Sequence, residues 1–198
     1  MKKSIVLAIL GTAVVGLTAS YGQGTITFSN YGSSSALITY ANSNVPLGKA
    51  GLLVGSEFSA ELAYYNGTTA NSALLSLVPG SITSIGFAPG SYPAVDGQAS
   101  YGAGVFEGPG TLGLTSTTTG EVVTVEVFAF NNGSLGAATI YGNSGLFNVT
   151  LGGGLTFPAK IVGTPGASFT VAGVPEPTTM ALGGLGLAAL MLFRRKRA

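Results

Sequence analysis

Three stretches in the middle of the chain alternate apolar and polar residues, and this period of two predicts half-buried β-strands. They cover residues 25–29, 58–64 and 122–130. The third is the richest in β-branched and aromatic residues, which favour strands. One of its faces carries three valines: Val123, Val125 and Val127. Phe128 and Phe130 make the opposite face apolar too, but Glu126 also lies there. We therefore predict that the valine face points into the core.

Weaker strand patterns complete the middle of the chain. They cover residues 36–41, 82–87, 138–141, 146–151 and 168–172. Dipeptides such as Asn66-Gly67, Pro109-Gly110 and Asn132-Gly133 are typical of turns between strands. Residues 111–120 are rich in Thr, Gly and Ser and predict a long loop, and residues 164–177 predict a last strand followed by a linker. Helical periodicity is missing here, so the predicted fold class is all-β, an antiparallel β-sandwich or jelly-roll-like domain.

The C-terminus has three parts in order. An uncharged, Leu-, Ala- and Gly-rich run covers residues 178–193 and ends at a basic cluster, and a proline-containing motif precedes it. The run would span about 24 Å as a helix, and snorkelling side chains and local thinning can fit it to a hydrocarbon core of about 30 Å. The motif is Val174, Pro175, Glu176 and Pro177, and the cluster is Arg194, Arg195, Lys196 and Arg197. We predict a short transmembrane helix with the basic cluster in the cytoplasm and everything before Thr178 outside.

Pro175 and Pro177 resist helix formation, so they hold an extended and accessible segment next to the membrane. Pro175-Glu176-Pro177, the short apolar span and the terminal Arg cluster together resemble the PEP-CTERM sorting domain of Gram-negative bacteria. The resemblance covers residues 174–197 only. It implies processing by an exosortase, a membrane protease that cuts near the Pro-Glu-Pro motif. The alternative is an ordinary C-terminal anchor that follows two prolines.

The N-terminus has the layout of a secretory signal peptide. Lys2 and Lys3 precede an uncharged run over residues 5–17, and small residues follow it. We predict cleavage by signal peptidase after Gly22, with cleavage after Ala19 as the alternative. The predicted organisation is then a signal peptide over residues 1–22, a β domain over 23–173 and a sorting signal over 174–198. The expected destination is an inner-membrane-anchored precursor, and then the cell surface or extracellular matrix.

Without its two ends, the chain is acidic. Residues 23–173 contain two lysines and six carboxylates, which gives a net charge of two minus six, or −4. The carboxylates are Glu57, Glu61, Asp96, Glu107, Glu121 and Glu126. A domain of this charge without a basic patch is not expected to bind nucleic acid. The chain also lacks cysteine, so packing and hydrogen bonds must hold the domain without disulfides.

Catalytic and metal chemistry find little support in the sequence. Histidine and cysteine are both absent, which excludes the usual nucleophilic triads and zinc ligand sets. Residues 108–113 match G-x-G-x-x-G, but no helix follows, so we interpret these glycines as turn residues. Glu57 and Glu61 would share a strand face as a glycosidase pair does, yet two solvated carboxylates are the simpler interpretation. Asp96 is the only aspartate, so a calcium site is not expected. We predict no enzyme activity, no cofactor and no metal.

Two kinds of function remain for the β domain. One is a structural or adhesive role at the cell surface. The alternative is carbohydrate binding, since PEP-CTERM systems accompany exopolysaccharide production and sandwich folds often bind sugars. Aromatic residues offer possible stacking faces, although aromatics more often fill the core and tryptophan is absent. They are Tyr64, Tyr65, Tyr92, Tyr101, Phe106 and Tyr141.

Overall fold

The computed structural model of this chain describes residues 22–31, 37–86, 96–97, 102–154, 156–161 and 168–174. Within these ranges the chain forms eleven β-strands and two short 3-10 helices, Ser72–Leu74 and Leu135–Ala137. The first six strands are β1 Gln23–Ser29, β2 Ile38–Tyr40, β3 Phe58–Asn66, β4 Ser76–Leu77, β5 Thr83–Ser84 and β6 Glu107–Thr118. The others are β7 Val122–Asn131, β8 Ile140–Asn143, β9 Phe147–Thr150, β10 Ala159–Lys160 and β11 Phe169–Gly173.

The strands form two sheets. The smaller has the order β10-β1-β6, and the larger has the order β2-β11-β8-β7-β3-β4, with β5 paired to β3 and β9 to β7. The longest ladder joins β3 to β7 in antiparallel register, from the pair Phe58–Asn131 to the pair Asn66–Val123. These are the two strands with the clearest alternation in the sequence. The predicted all-β class is confirmed.

The hydrophobic core takes residues from both sheets. Ile26 and Phe28 of β1 are fully buried, as are Ala60 and Leu62 of β3. From β7 it receives Val123, Val125, Val127 and Ala129. The valine face of β7 therefore points into the core, as predicted.

The opposite face of β7 is buried as well. Thr124 is 1% exposed, Glu126 is 3% exposed and Phe130 is fully buried. Glu126 was the reason for placing this face in solvent, and that reason is wrong although the chosen core face is right. The central strand therefore has almost no solvated side. Thr124 is hydrogen-bonded there, since its Oγ1 accepts the Thr69 N–H at 2.9 Å, whereas burial of Glu126 is costly because its Oε2 has no hydrogen-bond partner.

Residues 111–120 do not form the predicted loop, because β6 extends from Glu107 to Thr118. Threonine is β-branched and suits a strand, and the low-complexity composition obscured this. The pairing with β1 is irregular, with register shifts at two places. Ser116 adopts φ 60°, and Asn66 Nδ2 donates to its carbonyl at 2.7 Å. Pro109-Gly110 lies in this edge strand rather than in a turn, where a proline without an N–H is tolerated.

Two strand pairs are parallel, so the purely antiparallel prediction is wrong for them. β1 pairs with β10 in parallel, and β11 pairs with β2 in parallel. Each pair joins segments that are far apart in the sequence, and a long connection leaves the strand direction free, unlike a hairpin. Each of the five weaker strand patterns overlaps an observed strand.

Replacing Val125 by aspartate is expected to prevent folding of residues 23–174. Val125 is fully buried, and an unpaired charge at that site costs at least about 3 kcal/mol. Val122→Asp is the matched control, because Val122 opens the same strand and is 40% exposed. Far-ultraviolet circular dichroism and urea unfolding measure the outcome. Equal stability of the two variants would contradict the facing of β7, and a mainly helical spectrum would contradict the fold class.

Candidate functional site

The last strand, β11, lies inside the larger sheet. It pairs in parallel with β2, with Phe169 opposite Ile38, and in antiparallel with β8, with Gly173 opposite Ile140. Val171 is fully buried and joins the core. The C-terminal segment therefore leaves the domain from an interior strand.

Backbone hydrogen bonds hold the chain up to Val174. The Gly173 N–H donates to the carbonyl of Asn44 at 2.5 Å, and the Val174 N–H donates to the carbonyl of Thr139 at 2.8 Å. A side chain at position 173 would place its Cβ 2.8 Å from the Asn44 oxygen, so glycine permits this approach. Two loops, residues 42–48 and 132–139, thus flank the end of β11. We call these loops and Val174 the junction surface.

Val174 is the one residue of the predicted sorting motif that lies within the described residues, and it is 41% exposed. The others lie outside the described residues, as does the predicted signal peptide except for Gly22. They are Pro175, Glu176, Pro177, Arg194, Arg195, Lys196 and Arg197. The predicted linker does not begin before Pro175, because β11 and its hydrogen bonds continue to Val174. Among the described residues, no helix has the length and apolar character that a membrane crossing requires.

The comparison with protein families finds one match, which covers residues 173–197 and describes the PEP-CTERM protein-sorting motif. The chain carries a PEP-CTERM sorting motif. The matched segment begins at Gly173, the last residue of β11, so the sorting signal follows the domain without a gap. The motif implies a secreted surface protein that an exosortase sorts and processes. No curated protein and no solved structure matches the chain.

A polar cluster fixes the loop between β2 and β3. The Asp96 side chain is 4% exposed and forms an ion pair with Lys49. Its Oδ1 accepts the Gly55 N–H at 2.6 Å, and its Oδ2 lies 3.2 Å from the Tyr40 hydroxyl. The Tyr40 hydroxyl also lies 3.1 Å from Glu57 Oε1. The cluster ties together segments that are separated by up to 56 residues.

The cluster favours the protonated forms of its one phenol, Tyr40, and its one cation, Lys49. Burial, together with the charges of Asp96 and Glu57, raises the pKa of Tyr40 well above its usual value. The hydrogen bond to Asp96 raises the pKa of Lys49. From the sequence, Asp96 was considered only as a possible calcium ligand, and its pairing with Lys49 was not predicted. The available signal for this ion pair was that residues 23–173 contain a single aspartate and only two lysines.

Glu57 and Glu61 do not form a carboxylate pair. Glu57 lies in the turn before β3 and belongs to the polar cluster, whereas Glu61 lies within β3 and is 8% exposed. The expectation that both are solvated is wrong for Glu61. Its neighbour is instead Glu126: Ala63 pairs with Glu126 and Glu61 with Phe128, so the two glutamates are diagonal neighbours on one sheet face.

Burial raises the pKa of both Glu61 and Glu126. Glu126 Oε2 has no hydrogen-bond partner, which leaves a buried oxygen whose charged form is poorly stabilised. The described residues contain no group of three or more His, Cys, Asp or Glu side chains that is able to hold a metal ion. Burial therefore favours the neutral forms of both carboxyl groups.

Within the described part of the chain, the four aromatic candidates do not share one exposed stacking surface. Phe106 is buried, and its ring centroid lies 4.6 Å from that of Phe28. Tyr64 packs against the core, and its hydroxyl donates to the Thr115 carbonyl at 2.9 Å. Tyr141 on β8 is 41% exposed. The other candidates are Tyr65, which is half-buried, and Tyr92 and Tyr101, which lie outside the described residues.

The G-x-G-x-x-G sequence lies within β6, not in a turn. A Cβ at Gly108 would lie 2.6 Å from the Phe28 carbonyl oxygen, so this glycine permits the close approach of β1. The interpretation as turn glycines is therefore wrong. The segment also lacks the strand-turn-helix context that a dinucleotide site requires.

Replacing Glu126 by glutamine is expected to stabilise the full chain at pH 7. Because the folded pKa is raised, the stability is fully present below the usual glutamate pKa and is lost as pH rises through the folded pKa. The gain should be about 1.4 kcal/mol for each unit by which the pKa is raised at pH 7 and should vanish near pH 4. Glu107→Gln, at an exposed site, is the control. Urea unfolding at the two pH values measures it, and an equal effect of both variants at pH 7 would contradict the burial cost.

Proposed function

We propose that this chain is the precursor of an exported surface protein whose β domain has a non-catalytic, structural or adhesive role. The match to the PEP-CTERM motif at residues 173–197 carries this proposal. The position of β11 supports it further, because the motif follows directly from a folded domain that processing would release or display. The domain is residues 23–173, with the boundaries expected from the sequence.

The proposed route has three steps. Signal peptidase removes residues 1–22 after export. Residues 178–193 then hold the precursor in the inner membrane, with the basic cluster of residues 194–197 in the cytoplasm. An exosortase cuts near Pro175-Glu176-Pro177, and the processed protein reaches the cell surface or extracellular matrix of a Gram-negative bacterium.

The non-catalytic role is supported by how the domain uses its charged side chains. The Asp96 carboxylate accepts hydrogen bonds from Lys49, Tyr40 and the Gly55 N–H. Glu61 and Glu126 are buried on one face of the central sheet, and within the described residues neither forms an ion pair. Asp96 thus connects separate segments of the chain, and burial favours the neutral forms of Glu61 and Glu126. A role that depends on the folded surface fits this arrangement better than turnover of a substrate.

Replacing Pro175-Glu176-Pro177 by three alanines is expected to leave an uncleaved, membrane-retained precursor in a host that has the exosortase. The motif presents the cut site, whereas the anchor and the domain are unchanged by the substitution. The control replaces Ser72 and Leu74 by alanine, which turns Ser72-Ala73-Leu74 into three alanines, because these residues form an exposed 3-10 helix. Immunoblotting of membrane and surface fractions measures the processed product. The same product from the motif variant and the native chain would refute the proposal.

Carbohydrate binding is the second candidate, and the exposed ring of Tyr141 favours it. If this ring stacks on a sugar, Tyr141→Ala should weaken retention of the processed protein on exopolysaccharide by about three- to tenfold. Leu74→Ala is the control, since Leu74 is 51% exposed but not aromatic. A polysaccharide pull-down measures the retention. No retention of the native protein would remove this candidate and leave the structural role.

A further inference from the structure

The junction surface lies very close to the start of the apolar run. Val174 is hydrogen-bonded to Thr139, and the run begins at Thr178. Four residues span at most about 14 Å when fully extended. As long as residues 178–193 are anchored in a bilayer, the end of β11 cannot move farther from it than this.

The junction surface is suited to a position beside lipid. Neither of its loops, 42–48 and 132–139, contains a charged residue, so contact with a bilayer would not require a charge to lose its water. Leu47 is fully exposed at the tip of the first loop. The charged side chains of the neighbouring polar cluster are bonded within that cluster, because Lys49 pairs with Asp96 and Glu57 accepts a hydrogen bond from Tyr40.

The two loops are fixed by the domain. The Lys49 N–H donates to the Pro46 carbonyl at 3.0 Å, and the polar cluster holds Lys49 in place. In the second loop, Asn131 Oδ1 accepts the Thr139 N–H at 2.9 Å, and Asn132 Nδ2 donates to the Ala137 carbonyl at 3.2 Å. The junction surface therefore has a defined shape and orientation relative to β11.

We propose that the junction surface rests on the bilayer in the precursor, with Leu47 among the lipid headgroups. The short connection from Val174 to Thr178 imposes this position, and cleavage near the sorting motif ends it. The proposal rests on the membrane anchoring that the proposed function requires. It gives the precursor domain a fixed orientation, with the turn between β6 and β7 at the end away from the membrane.

Phe157 allows this proposal to be distinguished from nonspecific adhesion of exposed apolar side chains to the bilayer. Its aromatic side chain is 92% exposed, and it lies at the opposite end of the domain from the junction surface. That position follows from its neighbours: the Gly153 N–H donates to Thr156, and the Gly120 N–H of the β6–β7 turn donates to Leu151. Adhesion through exposed apolar groups predicts lipid contact at Phe157, whereas the short connection predicts it at Leu47.

The experiment uses the absence of cysteine from the native chain. Leu47→Cys and Phe157→Cys are introduced separately into the precursor and labelled with a nitrobenzoxadiazole dye. Each precursor is reconstituted in phosphatidylethanolamine–phosphatidylglycerol vesicles that contain headgroup spin-labelled lipid. We expect loss of fluorescence at position 47 and none at position 157. Equal quenching at the two positions, or quenching at position 157 alone, would overturn the proposal. Absence of quenching at position 47 would overturn it as well, and would be the result if this surface contacts the exosortase instead of the bilayer.

A linker variant tests the cause. A 12-residue Gly/Ser insertion between Val174 and Pro175 adds a root-mean-square reach of about 19 Å. Quenching at position 47 should then fall to the level at position 157, and undiminished quenching would overturn the short connection as its cause. Flotation of the vesicles distinguishes a failure of membrane anchoring from a failure of the proposed orientation. A precursor that does not float with the vesicles refutes the anchoring of the proposed function, whereas one that floats without quenching at position 47 refutes the orientation alone.

Discussion

The fold depends on the ladder between β3 and β7. It joins the two longest runs of alternating residues in the larger sheet, from Phe58–Asn131 to Asn66–Val123. One face of this ladder supplies the core that both sheets share, and the other face is also largely closed to solvent. β5, β8 and β9 pair directly with one of its two strands, so their positions follow from its register. In a chain without disulfides, loss of this ladder would leave the sheet without a centre.

The sorting signal is connected to this same architecture through β11. β2 reaches the larger sheet only through β11 in the described strand order, and β11 reaches β7 through β8. The residues that precede Pro175 are thus part of the folded sheet rather than a spacer. The integrity of the domain and the presentation of the motif are physically linked, because a domain that loses β11 also changes how far the motif extends from it.

Strands and faces that depend on local alternation were predictable from the sequence. Features that depend on contacts between distant segments mostly were not. The strand at Val122–Asn131 and its valine face were found because period two is a local property. β6 was missed because threonines and glycines give no apolar alternation, and its strand state depends on pairing with β1. The burial of Glu126 and the pairing of Asp96 with Lys49 were missed for the same reason: both arise between segments far apart in the sequence. The sorting motif was found because its three parts are contiguous.

The position of the junction surface also determines which parts of the folded domain remain in the processed protein. Phe169 and Val171 are the residues of β11 that enter the core, and both precede Gly173. The last backbone hydrogen bond from the described part of the segment is made by Val174. A cut after Val174 therefore removes none of the core side chains of the described residues, and the final strand keeps its pairing with β2 and β8. The mature protein would retain the stability of the precursor domain while losing the connection that restricts its orientation.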